Sequence, residues 1–112
     1  MDANAATECF AALSQDTRLA VFRLLVAAEG SIPAGEIAER LGVPHNTMST
    51  HLAILARAGL IGAQREGRLV RYGADHDGIR ALIGFILQDC CQGRPELCAP
   101  PAACCATGKD PA

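Results

Sequence analysis

The sequence lacks any apolar run of membrane length. Half of its 112 residues are hydrophobic, yet polar residues interrupt every stretch well before the roughly 18–20 residues that a membrane span requires. Residues 1–6 contain neither the basic start nor the apolar core of a secretory signal peptide. We therefore expect a cytoplasmic protein with no membrane partner, in a compartment where thiols stay reduced.

Cysteine is nearly absent from the first 89 residues, where Cys9 stands alone. The last 23 residues, by contrast, contain five cysteines: Cys90, Cys91, Cys98, Cys104 and Cys105. In a reducing compartment, clustered cysteines more often bind metals or do redox chemistry than form a disulfide framework. Cys9, beside Phe10, is most simply a core or interface residue, and the alternative is a ligand role across a dimer.

The chain also lacks an overall basic charge, since its formal net charge is −2. Positive charge is nevertheless concentrated, because residues 40–71 hold five arginines against one acid, Glu66, while the remaining residues hold five basic and eleven acidic groups. A protein that contacts nucleic-acid phosphates needs a local basic patch rather than a basic total. The charge distribution is therefore compatible with DNA binding.

Hydrophobic periodicity predicts a mainly α-helical domain with one β-hairpin, an α+β fold. Helices are expected over residues 5–13, 16–28, 33–41, 45–57 and from Asp75 or Asp77 to about Asp89, and strands over 60–65 and 68–72 around Glu66-Gly67. Two short helices flanking a turn at residues 41–44 have helix-turn-helix spacing.

Turn and cap residues support these boundaries. Asp16 is a plausible N-cap for the second helix, and Pro33 suits the first turn of the third. Gly42 and Gly59 provide the positive-φ residues at which helices stop.

Apolar residues at helical spacing predict the core. The expected inward positions are Ile37 and Leu41 on the third helix and Met48, Leu52 and Leu55 on the fourth. The other helices carry apolar residues at helical spacing: Phe10 and Leu13; Leu19, Phe22 and Val26 with Val21 and Leu25; and, on one face, Ile79, Leu82, Ile83, Ile86 and Leu87. Beyond Gln92 the composition changes, since four of the six prolines lie there among small residues. We therefore predict one folded domain over residues 1–92 and an irregular Cys/Pro-rich tail over 93–112.

The fourth predicted helix carries short polar side chains opposite its apolar stripe. They are His45, Asn46, Thr47, Ser49, Thr50 and His51. A helix that reads the major groove needs such donors and acceptors near its N-terminus, whereas an ordinary solvated face is also polar. The preceding short helix, the hairpin and the arginines favour DNA binding.

The hairpin adds four polar candidates, Gln64, Arg65, Arg68 and Arg71. We expect Arg68 and Arg71 to share a face from which Leu69 and Tyr72 are excluded. A hairpin tip that bears arginines can reach a minor groove or phosphates, although a surface hairpin charged for solubility would look similar.

Together these segments resemble the ArsR/SmtB family of winged-helix metal-sensing repressors. The matching stretches are LSQDTRL (13–19), EIAERLG (36–42), TMSTHL (47–52) with Leu55, GLI (59–61), and REGR (65–68) with Tyr72. The resemblance covers about residues 8–88. It implies a homodimer, formed largely by the first and last helices, that binds a palindromic double-stranded operator. By matching positions it assigns operator contacts to Thr47, Ser49, Thr50 and His51, and Pro44 stands where the family often has a capping serine.

Two ligand sites of that family are missing here. Residues 31–37 contain no cysteine, and no histidine or glutamate follows Asp75, His76 and Asp77 on the last helix. What remains is the trio Cys90, Cys91 and Cys98, which looks like the C-terminal trio of some arsenite-responsive members.

The chemistry of the trio agrees with that resemblance. Thiolates select soft ions, and As(III) or Sb(III) favours three sulfur ligands. Zinc or cadmium stays open, because Cys104 or Cys105 would supply a fourth sulfur. Adjacent helical residues point about 100° apart, so capture of one ion by Cys90 and Cys91 should reshape the helix end. We therefore expect a repressor that As(III) or Sb(III) releases from DNA.

Other classes compete with this interpretation. A redox-sensing repressor would oxidise the same thiols, and an interaction module would use them for structural zinc. A thiol-dependent enzyme is disfavoured, because no Cys-x-x-Cys opens a helix and no base is placed beside a thiol.

Overall fold

The computed structural model describes the backbone of residues 1–90 and the side chains of residues 1–88. It contains α1 (Ala3–Leu13), α2 (Asp16–Ala27), β1 (Ile32–Pro33), α3 (Ala34–Leu41), α4 (His45–Ala58), β2 (Ile61–Glu66), β3 (Leu69–Ala74), α5 (His76–Gly84) and a π-helical segment (Phe85–Cys90). The predictions for Cys91, Cys98, Cys104, Cys105 and the tail 93–112 lie outside the described residues. Within residues 1–90, no helix is long and apolar enough to cross a membrane.

The three strands form one antiparallel sheet in the order β1-β3-β2. Pairing from Ile61 opposite Ala74 to Glu66 opposite Leu69 confirms the predicted hairpin. The two-residue turn consists of Gly67, with φ 62°, and Arg68, so the tip lies one residue later than predicted. The sheet thereby forms the wing of a winged helix-turn-helix.

Strand β1 was not predicted, because a two-residue strand carries no periodic pattern. Ile32 pairs with Tyr72 and Pro33 with Arg71. Pro33 was expected in the first helical turn, but it ends β1 and precedes α3 as its N-cap. Its fixed φ suits that extended conformation as well as it would suit a helix.

The core forms where α1, α2, α3 and α4 meet the sheet and α5. The buried residues are Ala6, Cys9, Ala12, Val21, Leu25, Ile32, Ile37, Ala38, Met48, Leu52, Leu55, Leu60, Ile61 and Leu82. The predicted stripe of α4 is thus confirmed. Small residues of α1 face inward, which lets α1 lie close against α4.

Several apolar residues at helical spacing lie outside this core. On α2, Leu19 is 42% exposed and Val26 is 51% exposed, because the buried stripe passes through Val21 and Leu25. Phe10 on α1 is 45% exposed and Ile83 on α5 is 50% exposed. Apolar character at helical spacing therefore did not by itself place these four residues in the core of one chain.

Helix caps follow local chemistry. The side chain of Gln15, rather than that of Asp16, caps α2 by accepting a hydrogen bond from the Arg18 amide at 2.9 Å. Of the two candidates Asp75 and Asp77, Asp75 caps α5, since its carboxylate accepts from the Gly78 amide at 3.0 Å. The last helix was predicted to run to Asp89 as one α-helix, but it changes to π-helix at Phe85.

Candidate nucleic-acid interface

Helices α3 and α4 are joined by a tightly hydrogen-bonded turn. Gly42 adopts a left-handed conformation with φ 65°. The Gly42 amide donates to the Glu39 carbonyl at 3.3 Å, and the Val43 amide donates to the Ala38 carbonyl at 3.0 Å. This pair of bonds is a Schellman motif, which satisfies the last carbonyls of a helix. It fixes the direction in which the chain enters α4.

The N-terminus of α4 is open to a ligand. The first-turn amides of any helix lack intrahelical acceptors, and Pro44, which precedes α4, offers them no capping side chain. Such amides and the positive end of the helix dipole favour a phosphate. The first-turn amides of α4 are therefore not capped by a side chain, and the capping serine of the resembling family is replaced by proline.

Five of the six polar candidates on α4 are exposed: His45, Asn46, Thr47, Ser49 and Thr50. They lie opposite Met48 and Leu52, which are both buried. The His45 ring lies over the first turn of α3, since a β-carbon at Gly35 would stand 3.4 Å from its Cε1. The structure thus places the predicted reading residues on one solvent-facing surface of α4.

The sixth candidate, His51, has a different environment. It is half-buried, and its Nδ1 lies 3.3 Å from Nη1 of Arg18 on α2. The Nε of Arg18 donates to the Ala12 carbonyl at the end of α1, at 2.7 Å. His51 therefore contacts the helices behind α4, a relationship that no pattern in the sequence predicts.

The wing carries three exposed candidate residues and a fourth whose side chain bonds to another part of the chain. Gln64, Arg65 and Arg68 are exposed. Arg71 is half-buried, and its guanidinium donates to the Ser31 hydroxyl at 3.0 Å and to the Ser31 carbonyl at 3.2 Å. Arg71 therefore fastens β3 to the segment that leads into β1.

The expected grouping of Arg68 with Arg71 was wrong. The register pairs Gln64 with Arg71 and Glu66 with Leu69. Because strand residues two apart share a face, Leu69 lies on the face of Arg71, and Arg68 lies in the turn.

The arginines of this region differ in whether they form ion pairs within the chain. Arg40 pairs with Glu36 on α3, and both side chains are about half exposed. Among the residues whose side chains are described, Arg57, Arg65 and Arg68 form no ion pair. Arg65 and Arg68 at the wing therefore remain available for phosphates.

The described part of the chain does not contain a metal centre. No group of three or more His, Cys, Asp or Glu side chains comes together within it. The Asp75 carboxylate is used in capping α5, and exposed Asp77 lies 3.5 Å from Arg80. The backbone of Cys90 ends the π-helical segment, and its side chain, like the other predicted thiolate ligands, lies outside the description.

Comparison with known proteins agrees with this geometry. The profile of a helix-turn-helix domain family matches residues 13–61. An uncharacterized HTH-type transcriptional regulator of Methanocaldococcus jannaschii is 36% identical over 81 residues, covering 72% of this chain and 90% of that protein. A homodimeric winged helix-turn-helix domain of Mycobacterium bovis, described as a possible ArsR-family regulator, superposes with a TM-score of 0.62 at 30% identity, covering 71% of this chain and 73% of that one.

The chain belongs to the HTH-type transcriptional regulators of the ArsR/SmtB kind. A further relative, the transcriptional repressor SdpR of Bacillus subtilis, is 33% identical over 81 residues, covering 69% of this chain and 88% of SdpR. The regulator thus carries its DNA-binding helix-turn-helix in α3 and α4 and its wing in β2 and β3. The resemblance noted from the sequence is confirmed at the level of this family and fold.

Proposed function

We propose that this regulator is a homodimeric repressor of a metalloid-resistance operon, released from its operator when As(III) or Sb(III) binds Cys90, Cys91 and Cys98. The observation that supports this most is the change from α5 to a π-helical segment that ends at Cys90. π-Helical turns are rare and often occur at functional sites. The helix is already irregular where the vicinal thiols begin, so less regular structure has to be broken to bring both sulfurs onto one ion.

A path from that helix to the DNA-binding helix supports the mechanism. The Asp75 amide, just before α5, donates to the Leu60 carbonyl, just after α4, at 3.0 Å. A reorientation of α5 on ligand binding would therefore act on the end of α4. Allosteric couplings of about 1–3 kcal/mol are typical and suffice for a large change in operator occupancy.

The apolar surface supports a dimer through the first and last helices. Phe10 on α1 and Ile83 on α5 are large apolar residues with 45% and 50% of their surface exposed. A second copy of the chain would remove them from water, at roughly 25 cal/mol per Å² of apolar surface. Two copies would also present two α4 helices to the half-sites of a palindrome.

The DNA contacts that we propose are the exposed polar face of α4 and the wing. The exposed contacts are His45, Asn46, Thr47, Ser49, Thr50, Gln64, Arg65 and Arg68, and half-buried His51 joins them at the margin of the α4 face. Arg71 supports the wing from inside rather than reaching the duplex, because its guanidinium is bonded to Ser31.

The test is a titration of a protein–DNA complex with candidate inducers. A duplex enriched from a random library by the wild-type protein is labelled, and its release is followed by fluorescence anisotropy with arsenite, antimonite, zinc, cadmium and peroxide in parallel. We expect release by arsenite or antimonite. Cys90→Ser, Cys91→Ser and Cys98→Ser should bind the duplex normally and fail to release it.

Cys9→Ala is the matched control, because Cys9 is buried on α1 and should leave the response to arsenite unchanged. Arsenite-induced release from all three serine variants would overturn the proposal. Release by peroxide alone would identify a redox sensor. Release by zinc or cadmium that requires Cys104 or Cys105 would identify a four-sulfur site.

A further inference from the structure

One arginine joins three helices of the regulator around His51. Arg18 on α2 donates from Nε to the Ala12 carbonyl at 2.7 Å, which anchors it to the end of α1. Its Nη1 lies 3.3 Å from Nδ1 of His51 on α4. The Arg18 amide is itself held by the Gln15 side chain at 2.9 Å. The bond to the Ala12 carbonyl therefore holds the Arg18 guanidinium in place independently of its contact with His51.

The direction of the contact between Arg18 and His51 follows from their chemistry. An arginine side chain has donors and no acceptor, so Nδ1 of His51 must accept. The Nδ1 lone pair is then used, and the ring proton belongs on Nε2.

We propose that Arg18 is a positioning residue for DNA recognition, which holds His51 as the Nε2–H tautomer so that His51 presents one N–H donor to an acceptor of the duplex. Half-buried His51 follows Thr50, which is exposed, and precedes Leu52, which is buried. It thus stands at the margin of the α4 surface that carries the reading residues. This inference rests on the DNA-binding part of the proposed function and is independent of the inducer.

The acceptor has two sources in a duplex, a phosphate oxygen or the N7 or O6 edge of a purine. A fixed ring donates to either at little further entropic cost, because both its rotation and its tautomer are set before binding. The two sources differ in consequence. Loss of a phosphate contact weakens binding to all sequences alike, whereas loss of a base contact relaxes the base preference at one position.

Amide substitutions at His51 separate the two nitrogens. His51→Asn places an amide near the position of Nδ1 and retains an acceptor for Arg18, while it lacks the distal donor. His51→Gln places its amide near the position of Nε2 and retains a donor for DNA. Measured on the enriched duplex, we expect His51→Asn to bind about tenfold more weakly, the size of one hydrogen bond, and His51→Gln to recover part of the loss.

Arg18→Met tests the positioning role. We expect it to weaken binding of the enriched duplex about fivefold to tenfold in the wild-type background and to have little effect in the His51→Ala background. Arg23→Met is the matched control, because Arg23 lies on the same helix and is exposed. A loss for Arg18→Met that persists undiminished without His51 would show a merely structural role and overturn the proposal.

The tautomer is read directly by long-range ¹⁵N–¹H correlation spectra of the histidine rings. We expect His51 to show only the pattern of an unprotonated Nδ1 and a protonated Nε2. Exposed His45 and His76 should show exchange between tautomers, and His51 should join them in Arg18→Met. An Nδ1-protonated His51 in the wild-type protein would overturn the inference, even if the Arg18→Met variant proved unstable.

The two proposals fail in different ways. A wild-type protein that enriches no duplex would overturn the DNA-binding proposal and this inference with it. If the wild type enriches a duplex and Arg18→Met and His51→Asn bind that duplex as tightly as the wild type, only this inference is overturned. With binding weakened, a loss that is equal for all sequences identifies a phosphate partner, and a relaxed preference at one base pair identifies a base.

Discussion

Gly78 lies so close to Gly59 that a β-carbon on Gly78 would stand 1.8 Å from the Gly59 carbonyl oxygen. Gly59 is the left-handed residue that ends α4, with φ 87°, and Gly78 lies in the first turn of α5. The neighbouring bond from the Asp75 amide to the Leu60 carbonyl joins the same two segments. The end of the DNA-binding helix and the start of the last helix therefore form one rigid unit.

Substitution of Gly78 by alanine should separate these two helices. Because no side-chain atom can yield where the obstacle is backbone, we expect Gly78→Ala to lower the free energy of unfolding by about 1–3 kcal/mol or more. Chemical denaturation of the purified protein measures the loss.

Gly84→Ala is the control, since Gly84 lies on the same helix and its added β-carbon would meet nothing within 4 Å. It should be neutral or stabilising by up to about 1 kcal/mol. Equal stability of the two variants would contradict the close contact between Gly78 and Gly59.

Arg71 and Arg68 should respond differently to removal of their charge, although both lie in the hairpin. Loss of the two bonds from Arg71 to Ser31 in Arg71→Met should cost about 1–3 kcal/mol of stability. Arg68→Met, in the exposed turn, should change stability by less than about 0.5 kcal/mol and reduce the slope of log K against log salt by about one.

Denaturation curves and DNA titrations over a range of salt concentrations distinguish the two arginines. Ser31→Ala, which removes only one of the two acceptors of Arg71, should show an intermediate loss of stability and an unchanged salt slope. If Arg71→Met lowered the slope as Arg68→Met does and left stability intact, Arg71 would be a DNA contact after all.

Local patterns were sufficient to predict most of the fold. The α4 stripe of Met48, Leu52 and Leu55 has an unambiguous 3.6-residue period, and Gly42 and Gly59 provide chemically specific stops. On α2, the six large apolar residues at positions 19, 21, 22, 24, 25 and 26 cover more than half of the helix surface, so periodicity could not decide between the Val21–Leu25 stripe and Leu19 or Val26. Only packing against the other helices decides which stripe is buried.

The candidate site was predictable as a set of residues but not as a set of roles. Thr47 and Ser49 are exposed on α4 as their polarity indicated. His51 bonds to Arg18, 33 residues away in the chain, and Arg71 bonds to Ser31, 40 residues away. No local sequence pattern predicts a hydrogen bond over such a separation. Arg18 lies in the matching stretch 13–19 that was identified from the sequence, but only the fold brings it close to His51.

Cys9 should remain unreactive while the domain is folded. Burial, and to a smaller extent the nearby carboxylate of Glu8, raises the pKa of the Cys9 thiol, and thiols react as thiolates. Its sulfur also lies 3.4 Å from the Ala58 carbonyl, to which it donates. Alkylation at neutral pH followed by peptide mapping should modify Cys9 only after denaturation, and rapid modification in the native protein would contradict this burial.

The raised pKa of Cys9 also has a consequence for stability against pH. Its contribution is fully present below the pKa of the unfolded thiol, about 8.5, and is lost as the pH rises through the folded pKa. The stability advantage of the wild type over Cys9→Ala should therefore shrink as the pH rises above about 8.5. Denaturation at a series of pH values measures this difference, and an advantage that grows with pH would contradict the direction of the shift.

Ile83→Glu should convert the proposed dimer to monomers. Ile83 is 50% exposed in the single chain, so the substitution costs little within the monomer, whereas a dimer through α5 would have to bury an unpaired carboxylate. Sedimentation equilibrium should show a monomer mass at concentrations where the wild type is dimeric.

Leu69→Glu is the matched control for Ile83→Glu, because Leu69 is a comparably exposed apolar residue, 42% accessible, on the wing. It should leave the mass unchanged, since the wing takes no part in the proposed dimer. An Ile83→Glu protein that remains dimeric would exclude α5 from the interface. A reshaping of that helix near Cys90 would then act on α4 through the Asp75–Leu60 bond within each protomer rather than through the dimer interface.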